Sequence, residues 1–145
     1  EKKRFMGREL YSKTWGIIGL GNIGRIVADR AQGLKMKVVA FDPFFSAEAA
    51  AKIGVELLPV EEVLKRADVV TCHTPLNDQT RGLVSDAQLE IMKPGVMLVN
   101  CARGGIYDED ALIKGLETGK IGALDLDVFV EEPPSGDHPL LKHEN

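Results

Sequence analysis

The sequence of 145 residues predicts an α/β fold, a doubly wound parallel sheet between helices in three αβα layers. Short runs of β-branched and aliphatic residues alternate with stretches at helical spacing along the whole chain, as expected of strands joined by crossover helices and buried on both faces. Gly19, Gly21 and Gly24 end one apolar run and open an amphipathic one, so a strand reverses into a helix within very few residues. The hydrophobic fraction of 44% and charged fraction of 28% suit one globular domain over residues 1–145. A chain of this length buries roughly two-thirds of its unfolded surface.

The first strand is expected over 15–19 and the second over 38–41. A helix over 22–34 joins them, with Ile23, Ile26, Val27 and Arg30 at helical spacing and Gly33 near its end. An alanine-rich helix over 46–53 is stopped by Gly54, and a short strand at 55–57 and a helix at 60–66 follow. The apolar run 69–73 is a buried strand that Pro75 ends, because proline cannot donate to a ladder. Ser85 with Gln88 three residues on forms a capping box, starting a helix that Pro94-Gly95 terminates. A strand at 96–100, a turn at Gly104-Gly105, a helix at 108–117 and a strand at 122–128 complete the pattern. From Glu131 onward, Pro133, Pro134, Gly136 and Pro139 predict an irregular connection.

The glycine turn carries the first functional expectation. Gly19 permits the tight turn, Gly21 lets a diphosphate approach the backbone, and Gly24 lets helix and strand pack closely. Asn22 and Ile23 lie in the turn and offer backbone N–H groups at a helix N-terminus, where the dipole favours anions. Asp42 ends the second strand, 18 residues beyond Gly24, placed to accept hydrogen bonds from a ribose. Pro43, Phe44 and Phe45 follow it, with no Arg or Lys to receive an extra ribose phosphate, so the unit reads as a Rossmann-type site for NAD rather than NADP.

Composition narrows the partners. A net charge of −4 gives no general attraction to nucleic acid, and Lys2, Lys3, Arg4 and Arg8 read as a solvated segment. No apolar run approaches the ~20 residues of a membrane span. Cys72 and Cys101 each lie near the end of an apolar run, where a buried strand residue is expected. They have no metal-ligand spacing, and they point to a reducing, cytoplasmic compartment. The chain lacks an initiating Met and reads as part of a longer one.

Three later segments sharpen this: Asn100-Cys101-Ala102-Arg103-Gly104-Gly105, then 108–112, then Leu126-Asp127-Val128-Phe129 leading into Glu131-Glu132-Pro133-Pro134. With His73-Thr74-Pro75-Leu76 and Thr80-Arg81-Gly82-Leu83 they appear in one order, and nearly the whole chain, from Phe5-Met6-Gly7 to His143-Glu144-Asn145, resembles the D-isomer-specific 2-hydroxyacid dehydrogenase family. That family moves a hydride between C2 of a small 2-hydroxy acid and a nicotinamide ring.

The resemblance implies roles residue by residue. Arg103 follows the fifth strand at the sheet's carboxyl edge and corresponds to the arginine that orients substrate, its planar fork suited to a carboxylate and keto oxygen. Glu132 corresponds to the acid that orients a catalytic histidine and raises its pKa; it is preferred to Glu131 because it directly precedes Pro133 and lies five residues after Asp127. Asp127 corresponds to the acceptor for the nicotinamide carboxamide. His73, Thr74 and Pro75, and Cys101 and Ala102 beside Arg103, fall along the cofactor crevice.

The family's proton-transfer histidine follows a proline beyond the His143-Glu144-Asn145 segment, and His73, His138 and His143 do not match it. The expectation is therefore a cofactor domain that binds NAD but turns over little hydroxy acid alone, with the substrate domain outside residues 1–145. A homodimer through the cofactor domain is also implied. A 2-keto acid reductase and a non-catalytic, NAD-sensing corepressor-like module remain open as alternatives.

Overall fold

The computed structural model describes residues 7–145, so expectations on Lys2, Lys3, Arg4 and the Phe5-Met6 pair lie outside the described residues. Strands β1 (Thr14–Ile18), β2 (Lys37–Phe41), β3 (Glu56–Leu57), β4 (Val69–Cys72), β5 (Val96–Asn100) and β6 (Ile121–Leu126) form one sheet in the order β3-β2-β1-β4-β5-β6. Every neighbouring pair runs parallel. Between them lie α1 (Asn22–Gly33), α2 (Ala47–Lys52), α3 (Val60–Arg66), α4 (Asp86–Ile91) and α5 (Glu109–Glu117), with α6 (Pro139–Lys142) near the end.

Two apolar layers hold this arrangement. On one face Ile17, Leu20, Val38 and Ala40 pack with Ala28 and Ala31 of α1 and Ala50 of α2. On the other, Val70, Leu98 and Ile121 pack with Leu64 of α3, Leu89 of α4 and Leu112 of α5. A sheet buried on both faces explains why β4, Val69–Cys72, is apolar or β-branched at nearly every position and buried throughout.

The α1 stripe differs from the expected one. Gly24, Ala28 and Ala31 face inward, while Ile23 and Ile26 are 60% and 54% exposed. The tight turn into α1 brings the helix so near the sheet that its fully buried positions are all small, while Val27 of the expected stripe packs partly buried against the same core. The tail also departs from the irregular connection expected, because α6 forms there. Pro139 sits in its first turn, where a missing N–H costs nothing, and the His138 ring accepts from the Leu140 N–H. The Ser85–Gln88 capping box is present at α4.

The topology fixes one position on the sheet. Order reverses between β1 and β4, which leave the carboxyl edge toward opposite faces and open a crevice there. Register aligns Ile18 with Phe41 and with Cys72, Cys72 with Asn100, and Asn100 with Leu126. The next residue of each strand therefore stands in one row along the crevice: Gly19, Asp42, His73, Cys101 and Asp127.

Candidate cofactor and substrate site

The ladder continues one bond into that row. The Gly19 N–H donates to the Phe41 carbonyl at 2.8 Å, the His73 N–H to Ile18 at 2.8 Å, and the Asp127 N–H to Asn100 at 3.1 Å. The backbone of the row is thus held by the sheet while its side chains emerge at the edge. Strands expected to run to 19, 73 and 128 end at Ile18, Cys72 and Leu126, each with one more ladder bond beyond its last residue.

Each glycine of the turn has a separate cause. Gly19 adopts φ +97°, and a Cβ there would lie 2.7 Å from the His73 carbonyl oxygen. A Cβ on Gly24 would run into the Gly19 carbonyl oxygen, so the close approach of α1 depends on its absence. Gly21 is different. Its φ of −63° suits any residue, and a Cβ there would meet no described atom within 4 Å. The protein's own packing does not require that glycine, and the open space lies at the N-terminus of α1. The helix ladder begins with the Arg25 N–H donating to Gly21, so the amides of Asn22, Ile23 and Gly24 precede it.

Asp42 is fixed from both sides. Its Oδ2 accepts from the Leu20 N–H at 2.7 Å and its Oδ1 from the Phe44 N–H at 2.8 Å. The carboxylate is therefore aimed beside the glycine turn, partly buried, with acceptor capacity left for a diol. Pro43 and Phe44 beyond it are exposed, Phe44 to 95%.

After β4, the His73 Nε2 lies 2.8 Å from the Thr71 hydroxyl, and burial holds the imidazole below its ordinary pKa, favouring the neutral ring. The Thr74 hydroxyl oxygen is buried without a hydrogen-bond partner among the described residues. An orphaned hydroxyl beside a glycine turn fits a site that takes a polar ligand. Pro75 is exposed at the next position.

After β5, Asn100 is 2% exposed and folds the turn that carries Arg103. Its Oδ1 accepts from the Ala102 N–H and its Nδ2 donates to the Arg103 carbonyl, each at 3.0 Å. Sequence reasoning assigned Asn100 no role, although an Asn before a glycine-rich turn is a known backbone-mimicking signal. Arg103 is exposed and donates to the adjacent Ala102 carbonyl at 2.6 Å. Cys101 corrects an expectation: it is exposed, because it stands one residue past the strand, in the edge row and outside the core. Partial burial and the nearby Asp125 and Asp127 carboxylates push its thiol pKa up. Cys72 is buried as expected, and burial pushes its thiol up to about 12.

After β6, Asp127 is exposed at the edge and the chain turns through Phe129 into the Glu131-Glu132 pair. Both glutamates are exposed; the Glu132 Oε1 accepts from the Phe129 N–H at 3.1 Å. A Cβ on Gly104 would run into the Phe129 carbonyl, so the Arg103 turn and this loop meet backbone to backbone. The structure thus sets Gly19, Asp42, His73, Cys101 and Asp127 along one end of the sheet, with the Arg103 turn meeting the Phe129 loop that bears Glu132. No group of three His, Cys, Asp or Glu among the described residues forms a metal cluster, and no helix among them is long and apolar enough to cross a membrane.

The family described as D-isomer specific 2-hydroxyacid dehydrogenase, NAD binding domain, matches residues 1–145. A D-3-phosphoglycerate dehydrogenase from Archaeoglobus fulgidus is 51% identical over 145 residues, covering 100% of this chain and 28% of that protein. The one from Rattus norvegicus is 52% identical over 145 residues, with 100% and 27% covered. The chain therefore spans little more than a quarter of the length of these curated relatives. Among solved structures, a glyoxylate reductase from Paecilomyes thermophila superposes with a TM-score of 0.85 at 36% identity, covering 93% of this chain and 41% of that one. A D-lactate dehydrogenase with NAD+ from Lactobacillus jensenii gives 0.80 at 36%, covering 87% and 38%.

Proposed function

This chain belongs to the family of D-isomer specific 2-hydroxyacid dehydrogenases, matching its NAD binding domain, and from that premise we propose that it holds NAD to accept a hydride from C2 of D-3-phosphoglycerate, giving 3-phosphohydroxypyruvate. The observation that carries the cofactor half is Gly21, a glycine that neither backbone conformation nor packing demands, beside open space at a helix N-terminus. The substrate half is supported by relatives about half identical across the whole chain that bear the name D-3-phosphoglycerate dehydrogenase.

In this reading the amides of Gly21, Asn22 and Ile23 hold the diphosphate. Asp42 accepts from the adenosine ribose and Pro43 flanks it, while His73, Thr74 and Pro75 line the adenosine side. Cys101 and Ala102 border the nicotinamide side, and Asp127 accepts from its carboxamide and so selects the ring face. NAD, when bound, supplies the hydride acceptor. Arg103 binds the substrate carboxylate and C2 oxygen through its fork and lowers the energy of charge developing on that oxygen. Glu132 orients the family's proton-transfer histidine and stabilises its charged form.

The proposal extends to one cofactor domain over residues 1–145 with the substrate domain outside it, and to a homodimer formed through this domain. It also includes a cytoplasmic place in serine biosynthesis, with no nucleic-acid or membrane partner. A second reading, a glyoxylate or hydroxypyruvate reductase, is favoured by the glyoxylate reductase superposition. The test is hydride transfer by the full-length protein with phosphorylated and unphosphorylated acids compared. A kcat/KM at least tenfold higher for 3-phosphoglycerate than for glycerate supports the first reading; preference for an unphosphorylated keto acid supports the second.

A further inference from the structure

Glu109 opens α5, six residues past Arg103. Its Oε1 accepts from the Val130 N–H at 2.8 Å, and its Oε2 lies 3.2 Å from the His138 Nε2. The His138 Nδ1 accepts from the Leu140 N–H, so the ring proton sits on Nε2 and is donated to Glu109. Both side chains are only 20% exposed. The His138 ring also meets the Phe129 ring edge-on, with centroids 5.4 Å apart.

These contacts converge on one short segment. Phe129 gives its N–H to Glu132, its ring to His138, and its carbonyl to close approach by Gly104 of the Arg103 turn. Val130, the next residue, is held by Glu109. One carboxylate therefore secures the loop bearing Glu132 at two points, 130 and 138, on either side of that residue. The same carboxylate is anchored in the helix that continues from the Arg103 turn. The loop between Asp127 and His138 is exposed at 130–133 and 135–137, with Val128, Phe129 and Pro134 half-buried.

We propose that Glu109 is a positioning residue: by clasping the Val130 amide and the His138 imidazole, it sets the Glu132 loop against the Arg103 turn. This rests on the dehydrogenase reading, in which both groups must address one reacting centre, where displacement by about 1 Å costs about a hundredfold in rate. Glu109→Ala removes both bonds. Glu109→Gln keeps an acceptor for Val130 but points an amide N–H toward the His138 Nε2–H.

The experiment measures hydride transfer by the full-length protein together with amide NMR shifts. For Glu109→Ala the expected result is a fall in kcat of about 10- to 100-fold, with KM for NAD within twofold. The Phe129 and Val130 amides shift while those of 19–24 do not. Glu109→Gln should fall between it and the parent. A kcat within twofold of the parent despite a displaced Val130 amide overturns the proposal. So does a joint loss of kcat, NAD affinity and thermal stability, which marks a structural role only. Arg103→Ala and Glu132→Ala are run beside it. If they lose activity and Glu109→Ala does not, only this inference fails; if they too keep full activity, the dehydrogenase reading fails and takes the inference with it.

Discussion

Replacing Gly21 with alanine separates ligand from fold more cleanly than any other change at the site. Two small folding effects oppose each other. Alanine is a poorer N-cap than glycine by about 0.5–1 kcal/mol, and it stiffens the unfolded chain by about 0.4–1 kcal/mol at a compatible φ. With φ at −63° and no atom within 4 Å of the new Cβ, the net change should stay within about 1 kcal/mol, or a few degrees in Tm. In the proposed reading the methyl group instead enters the space that the diphosphate takes. Losing one charge-assisted N–H bond costs about 1.5–3 kcal/mol, which is roughly 10- to 150-fold in Kd. Gly24→Ala supplies the contrast, since its methyl strikes the Gly19 carbonyl; overpacking of that kind costs about 1–3 kcal/mol or more. Calorimetric NAD titration and thermal melts of both variants read the two quantities. Should Gly21→Ala keep its NAD affinity within twofold, or unfold as readily as Gly24→Ala, the argument from the open space beside Gly21 is wrong.

Asp42→Asn should weaken NAD by about tenfold and narrow the preference over NADP, because a repelling charge is lost while an oxygen remains for the Leu20 N–H; unchanged discrimination by calorimetry would count against it. His73 gives a pH dependence. Burial lowers its native pKa below the ordinary 6.5, so the unfolded chain binds the proton first and stability falls as pH drops below that value, levelling off once the native ring protonates. His73→Gln should flatten the urea midpoint across that window, and an unaltered slope would refute the assignment. The two thiols should also differ: an alkylating reagent near neutral pH should label Cys101 and leave Cys72 untouched in the folded chain, because Cys72 is buried with its pKa near 12. Mass spectrometry finding Cys72 modified first would contradict this.

Much of the site was legible in the sequence because its parts are local. A turn of Gly19, Gly21 and Gly24, a capping box at Ser85 and an acid at a strand end are each written within a few residues of sequence. Register then does the rest, since five strands ending level bring Gly19, Asp42, His73, Cys101 and Asp127 into one row. What escaped depends on distance along the chain or on a shift of one residue. Cys101 was expected in the core because its neighbour Asn100 closes an apolar run, yet one step past the strand end moves a side chain from core to edge. The inward face of α1 slid from Ile23 and Ile26 to Gly24, Ala28 and Ala31, since closeness to the sheet overrode hydrophobicity. The clasp between Glu109 and His138 joins residues 29 apart in sequence, and no local pattern announces it. Pro139, read as a breaker, starts α6 because a proline in the first turn is compatible with a helix.

Titrating the parent chain with NAD and then with NADP, in one buffer and by one calorimetric method, tests the central claim most directly. A turn that cradles a diphosphate, and an Asp42 carboxylate held by two backbone amides beside it, should give saturable one-to-one binding of NAD and at least about tenfold weaker binding of NADP. No heat with NAD at millimolar concentration, or equal affinity for the two, would contradict it.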